Sequence, residues 1–192
     1  MAVPHWRGTI VTELLLAAAV LGSISDRPVL ELRVKTYASI DAANLAVAQQ
    51  TAEAVLASGG LQIAWRICGD GDCTDSTSGA HFLVVRLLPI MKQLDPSVTG
   101  EVVRDRATAR PQIFVYLARN AAMAEQMRQV TGYLVGLTIA HEVGHALGLV
   151  HSRSGPMKAQ FNPADIAASR TTPLEFTKEA GKTMRESLGL VR

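Results

Sequence analysis

The chain has little net charge, few histidines, few cysteines and no long apolar segment. Its 192 residues carry a formal net charge of +2, with five histidines and two cysteines. This balance offers no strongly basic surface, so nucleic acid is excluded as the principal partner. The longest apolar run, residues 14–21, falls short of the roughly 20 residues that a transmembrane helix needs, so we expect no integral membrane span. Without repeats or linkers, the sequence predicts one compact domain, which we expect to be a monomer.

Three of the five histidines lie in one short segment. Residues 141–151 read HEVGHALGLVH. Side chains four residues apart lie on the same face of a helix, so His141 and His145 can bind one metal ion together. Glu142 lies about 100° further around the helix, outside the ligand shell but near a water molecule at the metal. The segment therefore predicts a metal site with an adjacent general base.

Gly148 and His151 complete this pattern. Glycine adopts a left-handed conformation without a steric penalty, so the chain can turn sharply at Gly148 and return His151 to the metal. Three protein ligands leave a fourth position open, which is typical of a catalytic zinc ion. The alternative is a buried apolar helix whose histidines are satisfied by backbone carbonyls. That alternative accounts for neither Glu142 nor the third histidine.

The motif, followed by Met157 in the sequence SGPM, resembles the metzincin clan of zinc metallopeptidases. The resemblance covers residues 141–157. It implies that His141, His145 and His151 bind zinc, that Glu142 is the catalytic base, and that Met157 lies beneath the metal in a methionine turn.

The residues around the methionine separate this chain from the well-known metzincin families. Ser152 is similar to the matrixins, but Lys158 stands where they usually carry tyrosine. Astacins and serralysins have a tyrosine ligand two residues after the methionine, where this chain has Ala159. We therefore expect no such ligand, and the chain is most similar to a small bacterial type of metzincin. Residues 152–156 and 159–163 are expected to wall the substrate pocket.

Alternating strand and helix patterns precede the motif. Strands are predicted around residues 30–35, 61–67, 82–88 and 113–117, with a short edge strand at 98–103. A helix follows Asp41 and ends at Gly59 and Gly60, and a short one is predicted around Met123, Met127 and Val130. A buried helix covers residues 133–150, and Thr177 caps a final helix. The class is α+β: a zincin-like fold with a mixed twisted sheet, an active-site helix, a methionine turn and a C-terminal helix.

The N-terminal segment has features of a targeting sequence. Arg7 precedes the apolar residues 14–21, and small residues follow before Asp26. We expect residues 1–25 to be a signal peptide and residues 26–192 to form the catalytic domain of a secreted or periplasmic protein. Glu13 interrupts the segment and no A-x-A cleavage pattern is present. An additional packed helix on a cytosolic enzyme is therefore the alternative.

The two cysteines bear on the same question. Cys68 and Cys73 enclose four residues and can form one disulfide, which fits an oxidising compartment. Asp70, Asp72 and Asp75 lie in or next to this loop and suggest a structural calcium site, an idea only weakly supported by the pattern. A solvated acidic turn is the simpler interpretation, because the twelve-residue calcium loop with its closing glutamate is missing.

These features together predict a zinc-dependent endopeptidase acting on peptide or protein substrates. The alternative is a non-catalytic binding or structural domain that holds zinc on the same fold. The presence of Glu142 favours the enzyme.

Overall fold

The structure, a computed structural model, describes residues 29–69, 73, 81–90, 95, 97–104 and 110–189. Over these residues the chain has an α+β fold with one mixed five-stranded sheet and five helices. The elements are β1 (Val29–Thr36), α1 (Ala42–Ser58), β2 (Gln62–Cys68), β3 (His81–Leu88), β4 (Gly100–Arg104), β5 (Pro111–Tyr116), α2 (Leu117–Gln126), α3 (Thr131–Ala146), α4 (Pro163–Ala168) and α5 (Lys178–Ser187). The predicted α+β class with a mixed sheet is confirmed.

The strands lie in the order β2-β1-β3-β5-β4. Strand β1 pairs in parallel with β2 and β3, and β3 pairs in parallel with β5. Strand β4 runs antiparallel to β5, with Gly100 opposite Val115. It is therefore the terminal strand of the sheet, as the sequence predicted for residues 98–103.

Helix α1 links two parallel strands, a connection that requires a crossover. It begins where the Asp41 carboxylate accepts a hydrogen bond from the Asn44 backbone amide at 2.8 Å. It ends at Gly59, followed by Gly60 at φ +80°. The predicted helix start and end are both confirmed.

The main core lies between the sheet, α1 and α3. Leu30, Leu32 and Val34 of β1 are almost fully buried in it. Helix α3 is buried nearly all round, as its continuous apolar pattern predicted.

Two glycines let α3 lie unusually close to α1. A Cβ atom at Gly132 would lie 2.3 Å from the Asn44 backbone oxygen, and one at Gly136 would lie 2.5 Å from that of Ala48. The Asn44 side chain also accepts a hydrogen bond from the Gly132 amide at 2.7 Å. These contacts fix where α3 lies against the rest of the fold.

Several boundaries differ from the sequence predictions. Helix α2 begins directly after β5 rather than near Met123, and α3 ends at Ala146 rather than at residue 150. Gly148 has φ +93°, which ends the helix, and Val150 is 79% exposed although it extends the apolar run. Trp65, which lies within the strand predicted at residues 61–67, is only partly buried and donates from Nε1 to Glu53 at 2.5 Å.

Helix α4 was not predicted. It is short, and its start is fixed by a reciprocal capping box between Asn162 and Asp165, with Pro163 at the first helical position. Six residues give too little periodicity for recognition, but the Asn-Pro pair with a carboxylate three residues after Asn162 was an available signal.

The predicted disulfide is present. Cys68, at the end of β2, is bonded to Cys73 with a Cα–Cα distance of 5.8 Å. The buried Arg33 side chain donates to the Cys73 carbonyl at 3.1 Å, which ties the closed loop to β1. Asp70, Asp72 and Asp75 and the predicted signal peptide lie outside the described residues. Within the described part, no helix has both the length and the apolar character to cross a bilayer.

We predict that Gly136→Ala destabilises the fold. The new methyl group would meet the Ala48 backbone oxygen at 2.5 Å and Thr51 Cβ at 2.6 Å, so the two helices must separate. Overpacking costs about 1–3 kcal/mol, and alanine's better helix propensity offsets up to about 1 kcal/mol of this. Denaturant unfolding of the metal-free protein measures the change. Gly69→Ala, whose new methyl group would have no atom of the described residues within 4 Å, is the control. Equal unfolding free energies for the two variants would contradict the prediction.

Candidate metal centre

Helix α3 places two histidine side chains one turn apart. The Nε2 atoms of His141 and His145 lie 3.0 Å from each other. His141 is 9% exposed, and His145 is partly buried. The predicted pairing of these residues on one helix face is therefore present.

The backbone turns back after α3 and brings a third histidine to this pair. The Gly148 amide donates to the His145 carbonyl at 3.1 Å, and the Leu149 amide donates to the Gly144 carbonyl at 2.9 Å. Gly148 adopts a left-handed conformation at this point. The chain therefore reverses its direction and places His151 Nε2 at 3.1 Å from His145 Nε2. Ligand nitrogens of all three histidines lie within 4.8 Å of one another, so the group can hold a metal ion.

Backbone carbonyls orient two of the rings. His141 Nδ1 lies 2.8 Å from the Pro156 oxygen, and His145 Nδ1 lies 2.9 Å from the Leu149 oxygen. A carbonyl can only accept, so each Nδ1 carries the proton and donates it. In the neutral ring the lone pair is then on Nε2, the atom that faces the other histidines. Two such lone pairs 3.0 Å apart repel each other unless a cation or a shared proton lies between them.

The protein environment favours the neutral rings. Burial lowers the pKa of His141 to about 4, with smaller contributions from His145 and His151. Burial also lowers the pKa of His145. Near pH 7 these two rings therefore offer a lone pair without first losing a proton, as metal ligation requires.

Glu142 lies beside the histidines and is 5% exposed. Burial, and secondly the charge of Glu101 on β4, raise the pKa of Glu142 to about 8. A nearby dication would act in the opposite direction and favour the carboxylate.

Met157 packs against the underside of α3 at Gly144. It is 4% exposed, and a Cβ atom at Gly144 would lie 2.5 Å from its sulfur. Its turn is held by a hydrogen bond of 2.8 Å from the Ser152 amide to the Met157 carbonyl. The predicted place of Met157 beneath a bound metal stays a prediction. Gly144 was not singled out in the sequence, although a glycine inside a helix is itself a signal of close packing.

A cleft of about 1290 Å³ opens in front of this group. Its lining combines the three histidines and Glu142 with residues of β4, α2 and the segment 158–161. Of the two segments expected to wall a pocket, 159–161 thus lines the cleft. Residues 152–156 instead belong to the turn that carries Met157 and Pro156.

Two features near the cleft were not found from the sequence. Glu101 on β4 accepts a hydrogen bond from the hydroxyl of Tyr116 on β5, a contact between two strands that no local sequence pattern indicates. Asn120 and Thr138 are buried polar side chains bonded to each other at 2.8 Å. His81 is exposed at the start of β3.

Comparison with known protein families found no match to this chain, and none of the curated proteins matches it.

We predict that His151→Ala loses most of the bound metal. The two remaining histidines come from one helix and leave half of a tetrahedral shell to water. The measurement is elemental analysis after zinc loading and gel filtration. His81→Ala, which removes an exposed histidine, should keep the wild-type metal content. Full loading of the His151 variant would show that it is not a ligand.

Proposed function

We propose that the protein is a zinc-dependent endopeptidase of the metzincin type. The observation that carries the proposal is the convergence of three histidine Nε2 atoms beside a buried glutamate in an open cleft. The motif of residues 141–151 and the position of Met157 add the family resemblance.

The donor set fits zinc. Ligand nitrogens on a tetrahedral zinc ion, each about 2.0–2.1 Å from the metal, are about 3.3 Å apart. The two Nε2 distances of 3.0 and 3.1 Å are close to that value. Three imidazole ligands suit zinc and leave a position for water or substrate, and the carbonyls of Pro156 and Leu149 hold two of the rings in place. When bound, zinc supplies Lewis-acid polarisation of a carbonyl and acidifies water.

Glu142 is the proposed general base. It is the acidic residue next to the histidines on α3, and it lines the same cleft. Its carboxylate would take a proton from the attacking water and later deliver it to the leaving amine.

The terminal strand β4 is the proposed substrate platform. Gly100, Glu101 and Val102 line the cleft, and β4 pairs with β5 on its other side. An extended peptide could therefore add to β4 through backbone hydrogen bonds. Such a peptide would pass directly in front of Glu142 and the histidines.

Glu142→Gln should keep zinc and the fold but lower turnover. The amide has the shape of the carboxylate but cannot take a proton, so we expect a loss of about 10²–10⁴-fold in kcat. Cleavage of casein, with and without a chelator, measures the activity. Glu125→Gln makes the same change on an exposed residue of α2 and should leave turnover intact. Wild-type turnover in the Glu142 variant would mean that another residue is the base. A zinc-loaded wild-type protein that cleaves no substrate would favour the alternative function, a non-catalytic domain that holds zinc.

We further propose that the protein works outside the cytoplasm, because the Cys68–Cys73 disulfide persists in oxidising compartments. Protein isolated from its native host should then carry the bond and begin near Asp26. Intact-mass measurement before and after reduction and alkylation tests both points. Two free thiols on a chain that still begins at Met1 would contradict export and leave the peptidase proposal untouched.

A further inference from the structure

The start of strand β4 lies directly on the turn of α3 that carries Glu142. A Cβ atom at Gly100 would lie 2.7 Å from Thr138 Cγ2 and 3.0 Å from Glu142 Cγ. It would also lie 2.9 Å from the Phe114 backbone oxygen, which belongs to the paired strand and cannot move aside freely. Glycine at this position therefore permits the closest approach of the edge strand to the proposed base.

A buried hydrogen-bond network joins the same two elements. The Thr138 hydroxyl donates to Asn120 Oδ1 at 2.8 Å and lies 3.2 Å from the Thr99 hydroxyl. Asn120 Nδ2 donates to the Thr99 carbonyl at 3.2 Å and to the Tyr116 carbonyl at 3.0 Å. Asn120 is fully buried and Thr138 is 6% exposed. The Asn120 amide thus uses both its donor and its acceptor groups, and few other arrangements would satisfy it.

The network holds the two residues that directly precede β4, Val98 and Thr99. Thr99 is bonded to α2 through Asn120, and Arg119 donates to the Val98 carbonyl at 2.9 Å. Thr138 lies four residues before Glu142, so both side chains are on the same face of α3. Helix α3, helix α2 and the edge strand therefore meet at one point, directly beside Glu142.

We propose that Gly100, Thr138 and Asn120 are positioning residues that fix the distance between β4 and Glu142. A peptide paired with β4 then presents its carbonyl at a set height above the carboxylate. This inference rests on the proposed endopeptidase function. It adds that productive alignment depends on residues that do not themselves touch the reacting atoms.

The steric half of the proposal is tested with Gly100→Ala. The added methyl group must displace β4 or Glu142, so kcat on a peptide longer than the five residues of β4 should fall about tenfold or more. Zinc content should not change, because the three atoms nearest to the added methyl group belong to Thr138, Phe114 and Glu142 and not to a histidine. Gly69→Ala, which adds a methyl group more than 4 Å from every atom in the part of the chain that the structure describes, is the control. Wild-type kcat in a folded, zinc-loaded Gly100→Ala protein would overturn the proposal.

The hydrogen-bond half is tested with Thr138→Val and Thr138→Ser. Valine keeps the shape but removes the hydroxyl, whereas serine keeps the hydroxyl. In the valine variant, amide hydrogen exchange in residues 98–104 should rise about tenfold while that in β1 and β3 stays unchanged. Thr138→Ser should restore slow exchange. Equal exchange in residues 98–104 for the wild type and the valine variant would overturn the proposal, as would a rise spread over the whole sheet.

A kinetic comparison separates positioning from general loss of structure. Thr138→Val should lower kcat/KM for the long peptide more than for a short one that reaches only the residues beside the scissile bond. A purely structural role would lower both equally and would contradict the proposal. If zinc-loaded wild-type protein cleaves neither peptide, the endopeptidase function fails. The exchange measurement, which needs no turnover, still decides whether the network holds β4.

Discussion

The site depends on how closely helix α3 is packed by its neighbours. Glycines make the contact on three sides: Gly136 against α1, Gly144 against Met157, and Gly100 of β4 against Thr138 and Glu142. At each contact a Cβ atom would lie 2.7 Å or less from a neighbouring atom. Because close-packed interiors adjust little, these contacts fix the position of α3 relative to α1, β4 and the turn that carries Met157. The packing of α3 therefore also fixes the position of His141 and His145.

Such rigid placement matters because the polar groups of the site are costly to bury. His141 and Glu142 are almost fully buried. Burial lowers the pKa of His141 and raises the pKa of Glu142, and both shifts favour the uncharged side chain. The hydrogen bond from His141 Nδ1 to the Pro156 carbonyl offsets part of the cost of burying this ring, and Pro156 lies in the turn that also carries Met157. One turn thus supplies both the apolar contact at Gly144 and the acceptor that orients the His141 ring. Preorganisation of this kind is what metal sites require of the shell around their ligands.

Local patterns in the sequence predicted much of this arrangement. The spacing of His141 and His145, the reversal at Gly148 and the disulfide between Cys68 and Cys73 each involve residues near one another in the chain. For such features, helix periodicity, glycine conformation and loop length are sufficient rules. The predicted strands were also found, because alternation or short apolar runs report burial in a sheet.

The parts that were missed depend on contacts between distant residues. Thr138 and Asn120 are 18 residues apart, and Thr138 and Thr99 are 39 apart, so no local pattern pairs them. The end of α3 was misplaced because an apolar run continued to Val150, whose exposure is decided by the reversal of the chain rather than by its own character. The cluster of three histidines was therefore accessible from sequence, whereas the residues that surround Glu142 were not.

Strand β4 acts on Glu142 through both shape and charge. Gly100 removes the steric barrier to close approach, and Glu101, the next residue, contributes to the raised pKa of Glu142. The Tyr116 hydroxyl donates to the Glu101 carboxylate and so holds it in place on the sheet. A change in the distance between β4 and α3 would therefore alter both the space next to Glu142 and the electrostatic field at its carboxylate. The hydrogen bonds of Asn120 and Thr138 constrain that distance, and they link the edge strand to the chemistry proposed for Glu142 on α3.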